Sequence, residues 1–153
     1  MELPLMNTPD VIDTAAALAP GDALYRARRF RAKVVDATQA SHDALLSEPS
    51  PGLSTADRLR VAVAVCQAAG AAELQAHYAT RLDAETDAPS AALPAMQQFA
   101  VALTRDPRQG DRAAIERLQA AGLADAAIVA LAQLIGFLSY QTRVVAGLKA
   151  MQG

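Results

Sequence analysis

Cys66 is the one thiol in a chain of 153 residues, and it sits in VAVAVCQAA. A reactive thiol needs a depressed pKa and access to solvent. Val and Ala neighbours would raise the pKa instead, so Cys66 reads as a buried, structural cysteine. Glu73 and His77 stand four apart, which puts both on one face of a helix. That pair has the chemistry of a general base and its orienting acid, or of two metal ligands. Two ligands do not make a metal site, and no third is visible, so no metal and no cofactor are expected. His42 has only Asp43 beside it and is expected to be exposed. Arg143 follows Tyr140 by three in a mostly apolar stretch. An Arg in such a place reaches solvent, pairs with an acid in a pocket, or crosses an interface.

The run YRARRFRAK, residues 25–33, packs five basic residues into nine positions with aromatics between them. It could bind phosphate or nucleic acid, or it could form a helix face that pairs with acids elsewhere or across an interface. The chain carries a net charge of −2 and a pI of about 5.6. On that balance no nucleic-acid partner is expected. A single Cys excludes a disulfide framework, a CxxC redox pair and a multi-Cys zinc site. No Gly-rich phosphate loop, GxSxG elbow, HExxH or EF-hand loop occurs. The first ten residues lack the basic and apolar regions of a signal peptide. The longest apolar stretch, residues 126–138, falls short of the roughly 18 residues of a membrane span. A cytoplasmic protein with no membrane partner is the expectation.

The elements that must position these residues are helices. The sequence holds 37 Ala, no Trp, 3 Phe and 3 Tyr. Ala favours helix over strand. Thr8-Pro9-Asp10 reads as a helix start, with Thr8 as cap and Asp10 in the first turn, running to about Leu18. Asp22 opens a helical stretch to about Ser47, with a break between Phe30 and Asp36. Residues 48–52, EPSPG, form a loop. Ser54 to Asp57 has the spacing of a capping box. The Val61, Val63, Val65 alternation allows a strand, but the cap and the Ala between favour a helix ending near Gly70. A helix follows over 71–84. Ser90 is expected to cap a helix through Leu103, with Pro94 in its first turn. Asp111 caps a short helix ended by Gly122, and Asp125 opens the longest helix, to about Lys149. The whole reads as one all-α domain over 1–153, a bundle of about six to eight helices. Residues 10–52 supply N-terminal helices and 53–149 the core ones.

Three segments carry a family resemblance: FAVALTRDP (99–107), LQAAGLADAAI (118–128) and LIGFLSYQTR (134–143). DVID (10–13) and LSTADR (53–58) fit the same group. Together they resemble the peroxidase-related branch of the carboxymuconolactone decarboxylase and AhpD-like superfamily. The resemblance implies an AhpD-like helical fold that assembles as homo-oligomers. It also implies thiol peroxidase chemistry of the alkylhydroperoxidase kind: an upstream acid, a Cys-x-x-Cys pair, and a His four residues on.

Here the motif is degenerate. With His77 as its histidine, the thiol positions fall on Gly70 and Glu73. One register later, on Tyr78, they fall on Ala71 and Leu74. Cys66 lies four before Gly70 and has no resolving partner. The resemblance carries over His77, with Asp57 as the upstream acid, and leaves dithiol turnover without its thiols. It leaves three readings: an antioxidant, peroxidase-like protein reacting through Cys66; a thiol-independent lyase or decarboxylase using His77 and Glu73; and a non-catalytic subunit that assembles with itself or with a thiol-bearing relative.

Overall fold

The computed structural model describes residues 9–153. Eight α-helices make up the described chain: α1 (Val11–Ala15), α2 (Ala23–Arg28), α3 (Ala32–Leu46), α4 (Thr55–Ala68), α5 (Ala72–Leu82), α6 (Leu93–Arg105), α7 (Arg112–Ala120) and α8 (Asp125–Met151). No strand occurs among the described residues, so the Val61 to Val65 alternation lies within a helix. Short 3₁₀ turns at Arg29–Arg31 and Pro107–Gln109 fill two of the joints. The first of these is the break expected between Phe30 and Asp36.

Helix starts follow local capping chemistry. The Ser54 hydroxyl accepts from the Asp57 amide at 3.1 Å, and Asp111 accepts from the Ala114 amide at 2.9 Å. These satisfy N–H groups that have no intrahelical partner. Gly70 and Gly122 stand at φ +68° and +98°, the left-handed region that ends α4 and α7.

Three expected boundaries differ. The cap of α1 is Asp10, which forms a reciprocal box with Asp13. Thr8 lies outside the described residues. Helix α1 stops at Ala15, short of Leu18, because Ala17 turns left-handed at φ +55° and the Leu18 amide returns to the Asp13 carbonyl. Ser90 does not cap α6. Its amide donates to Asp57 at 3.2 Å, and Ala92 takes the cap position.

The core gathers around α4, which packs on α5, α6 and α8. Leu59, Val61, Ala62, Val65 and Cys66 of α4 are fully buried. Helix α8 contributes Leu131, Leu134, Ile135 and Leu138 to the same core. By length and composition α8 could also cross a membrane. The continuous helix is longer than the 126–138 stretch suggests, since Gln141 and Thr142 extend it without a charge. In the fold its apolar side packs on α4 and α6.

Two residues of the Arg-rich run, Arg28 and Arg29, form an internal fastener, while Arg26, Arg31 and Lys33 are exposed. Arg28 bonds both Asp10 (2.9 Å) and Asp13 (2.7 Å), and Arg29 bonds Asp13 at 2.5 Å. The Arg29 guanidinium also lies 3.6 Å over the ring of Tyr25. Asp13 is completely buried. Burial opposes its ionisation, but hydrogen bonds from Arg29, the Asp10 backbone and Arg28 outweigh it and hold its pKa below the usual carboxylate value.

Candidate functional site

Cys66 sits on the last turn of α4 with no exposed surface. Burial alone pushes its thiol pKa up to about 12. At pH 7 the reactive thiolate is then on the order of one molecule in 10⁵. Asp57 sits nine residues earlier on the same helix, which is about 13 Å along the axis. Its carboxylate receives Arg60 at 2.9 Å and the Ser90 amide at 3.2 Å. Asp57 therefore ties the segment before α6 to the start of α4, and that engagement is remote from Cys66.

The expected Glu73–His77 pair is not made. The Glu73 carboxylate, on the first turn of α5, closes on Lys149 of α8. Lys149 holds the Glu73 carboxyl below its ordinary range. His77 turns instead toward α3. Its ring lies 5.9 Å from that of His42 and 5.0 Å from that of Tyr78. Its Nε2 is buried with no hydrogen-bond partner. Burial, then the neighbouring His42 and Arg81, bring its pKa down to about 4, so the ring is neutral at pH 7.

His42 is the main correction. It was expected in solvent and is 5% exposed. Its position on α3 faces α5 and α8, with Tyr78 stacked at 6.1 Å and Phe137 at 6.4 Å. Nδ1 lies 2.9 Å from Asp43, and Nε2 lies 3.4 Å from Nη1 of Arg81. Burial lowers its pKa, Asp43 acts against this, and Arg81 adds to it. Tyr78 is buried and donates to Gln141 of α8. Burial raises its phenol pKa above the ordinary value.

The site that the fold assembles is thus His42, His77, Tyr78 and Arg81, closed by Gln141 from α8. Of the residues singled out by sequence, only His77 belongs to it. The i, i+4 spacing of His77 and Arg81 is the signal in the sequence for the site's cation. Nothing local marks His42 or Gln141, since both partnerships span dozens of residues.

Tyr140 and Arg143 lie elsewhere on α8. Gln141 faces inward to Tyr78, and Arg143, two residues on, is rotated by about 200° to the outside. With Tyr140 it lines a groove of about 520 Å³ formed with Leu103, Pro107, Ile135 and Gly136. The Tyr140 hydroxyl also meets that of Thr38 at 3.3 Å. No group of three or more His, Cys, Asp or Glu suited to a metal ion occurs among the described residues.

No family model matches the chain, and no curated protein matches it. Its fold resembles the crystal structure of an uncharacterized peroxidase-related protein from Silicibacter sp. TM1040. The TM-score is 0.59 and the identity 22%, over 96% of this chain and 87% of that one. The likeness shows the fold: this chain is folded like a protein described as peroxidase-related.

Proposed function

We propose that this chain is a peroxidase-related member of the carboxymuconolactone decarboxylase and AhpD-like superfamily in which thiol turnover has been lost. The observation that carries this reading is Cys66, the only thiol, fully buried and with a pKa near 12. A thiol peroxidase needs a thiolate to attack the peroxide and a second thiol to resolve the sulfenic acid. The segments at 99–107, 118–128 and 134–143, together with the fold of the Silicibacter protein, support the membership.

In this reading the protein works in the cytoplasm as a homo-oligomer, or beside a thiol-bearing relative. The outer face of α8 supports self-association. From Ala126 to Tyr140 its exposed positions are Ala126, Val129, Ala132, Gln133, Gly136 and Tyr140, none of them charged. An uncharged face of that length is characteristic of buried contact surface.

One observation favours a second, enzymatic reading of the lyase or decarboxylase kind. His77 offers a neutral imidazole whose buried Nε2 has no protein partner. With the ring proton on Nδ1 that nitrogen is an acceptor, and because it titrates near 4 it is a weak base suited to a strongly activated carbon acid. The acid partner first assigned to it, Glu73, is engaged by Lys149.

Peroxide consumption with a dithiol reductant, compared across wild type, Cys66→Ser and His77→Gln, tests the proposal. Rates at the uncatalysed level in all three agree with it. Catalytic consumption that disappears in Cys66→Ser overturns it.

A further inference from the structure

Arg81 carries N–H donors and no acceptor, which fixes the protonation of the ring it touches. Its Nη1 lies 3.4 Å from Nε2 of His42, so that nitrogen accepts. The ring proton then sits on Nδ1 and points to Oδ1 of Asp43, 2.9 Å away. The Gln39 amide nitrogen lies 3.3 Å from Nδ1 but donates to the same Asp43 oxygen at the shorter 2.9 Å, and its Oε1 accepts from the Val11 amide at 3.2 Å; the donor-only Arg81 on the other ring nitrogen is what selects the Nδ1–H form.

The other end of Arg81 does structural work. Its Nη2 donates to the Leu46 carbonyl and to the Ser47 hydroxyl, each at 3.1 Å. Arg58 of α4 donates to the adjoining Leu45 carbonyl at 2.7 Å. These carbonyls close α3, where no intrahelical N–H reaches them and the helix dipole is negative. Two guanidinium groups therefore hold the end of α3, and the α5 one is aligned by His42.

We propose that His42 is a proton-sensitive latch: the neutral ring docks Arg81 on the end of α3, and a second ring proton releases it. Protonation of Nε2 removes the acceptor and sets an imidazolium against a guanidinium. The groups around the ring give it little compensation. From α3 come Gln39 and Asp43, and the Asp43 side chain is 57% exposed. From α1, Asp10 is already bonded to Arg28. From α4 comes Arg58, at the neighbouring carbonyl. From α5 come His77, Tyr78 and Arg81, and from α8 the apolar ring of Phe137. Cations outnumber the available carboxylates, so acidification loosens α3 from α5.

Two-dimensional NMR of ¹⁵N-labelled full-length protein tests the latch. In wild type at neutral pH, the His42 ring shows the Nδ1–H tautomer. On acidification its titration coincides with shifts at the amides of Leu46, Ser47 and Arg81. His42→Gln offers Arg81 an acceptor that takes no proton at these pH values, and those coincident shifts are lost. An Nε2–H tautomer in wild type overturns the latch without any variant. The same Leu46 and Ser47 shifts persisting in His42→Gln overturn it as well.

Discussion

The hydroxyl of Tyr78 donates to Oε1 of Gln141 at 2.5 Å, while the Tyr78 ring packs on His42 and His77. The bond joins α5 to α8, and both side chains are at most 1% exposed. Tyr78→Phe leaves the Gln141 oxygen buried and unpaired, which costs about 1–3 kcal/mol. Replacing both partners, Tyr78→Phe with Gln141→Leu, regains part of that loss. Urea unfolding of the two variants measures the difference.

Alkaline pH acts on the same region. The buried Cys66 thiol titrates near 12 in the fold, against an ordinary value of 9.0. The folded protein thus holds this proton longer than the unfolded chain does. Its contribution to stability is complete below pH 9 and is lost as the pH rises toward 12, by up to about 1.4 kcal/mol per unit. Tyr78, also raised, adds a loss of the same sign above pH 10. Thermal melts from pH 8 to 10.5, normalised at pH 7, are expected to fall less steeply in Cys66→Ala than in wild type.

Acid works through the histidines with the opposite direction. His77 titrates near 4 in the fold and near 6.5 when unfolded. Stability from its neutral form is complete above pH 6.5 and is lost as the pH falls toward 4. The ring is part-exposed, so solvent screening limits the effect to about 1–2 kcal/mol. His77→Gln removes that share, and denaturant midpoints between pH 7 and pH 4.5 will show a shallower decline.

Much of this fold is legible in local chemistry. Ser54 and Asp111 cap the helices they precede, Gly70 and Gly122 end them, and the apolar neighbours of Cys66 foretell its burial. Each of those signals acts within a few residues. The site is less legible because its partners are remote. Glu73 finds Lys149, 76 residues on, in preference to His77, one turn away. His42 lies between Ser41 and Asp43 and looks like a surface residue until α5 and α8 are packed over it. Ser90 has a good capping side chain, yet its amide is drawn to Asp57.

The N-terminal fastener carries its own prediction. Asp13 is fully buried and receives both Arg28 and Arg29. Asp13→Asn takes one carboxylate from Arg28, which keeps Asp10, and from Arg29, and loss of one partner from a buried ion pair costs about 3–5 kcal/mol. Because the Asp13 pKa is lowered in the fold, its contribution holds above the ordinary 3.8 and is lost as the pH falls below it. Urea unfolding at pH 7 should show the large loss, and at pH 3 the gap between variant and wild type should narrow.

The accessibility of Cys66 decides whether the fold retains thiol chemistry. Native protein is mixed with a chromogenic aromatic disulfide at pH 8, and the released thiolate is followed over time. A thiol outside redox chemistry gives no reaction on the timescale of minutes and one full equivalent once guanidinium unfolds the chain. One equivalent released within seconds from native protein, and lost after pretreatment with peroxide, would instead show an accessible, peroxide-reactive thiol.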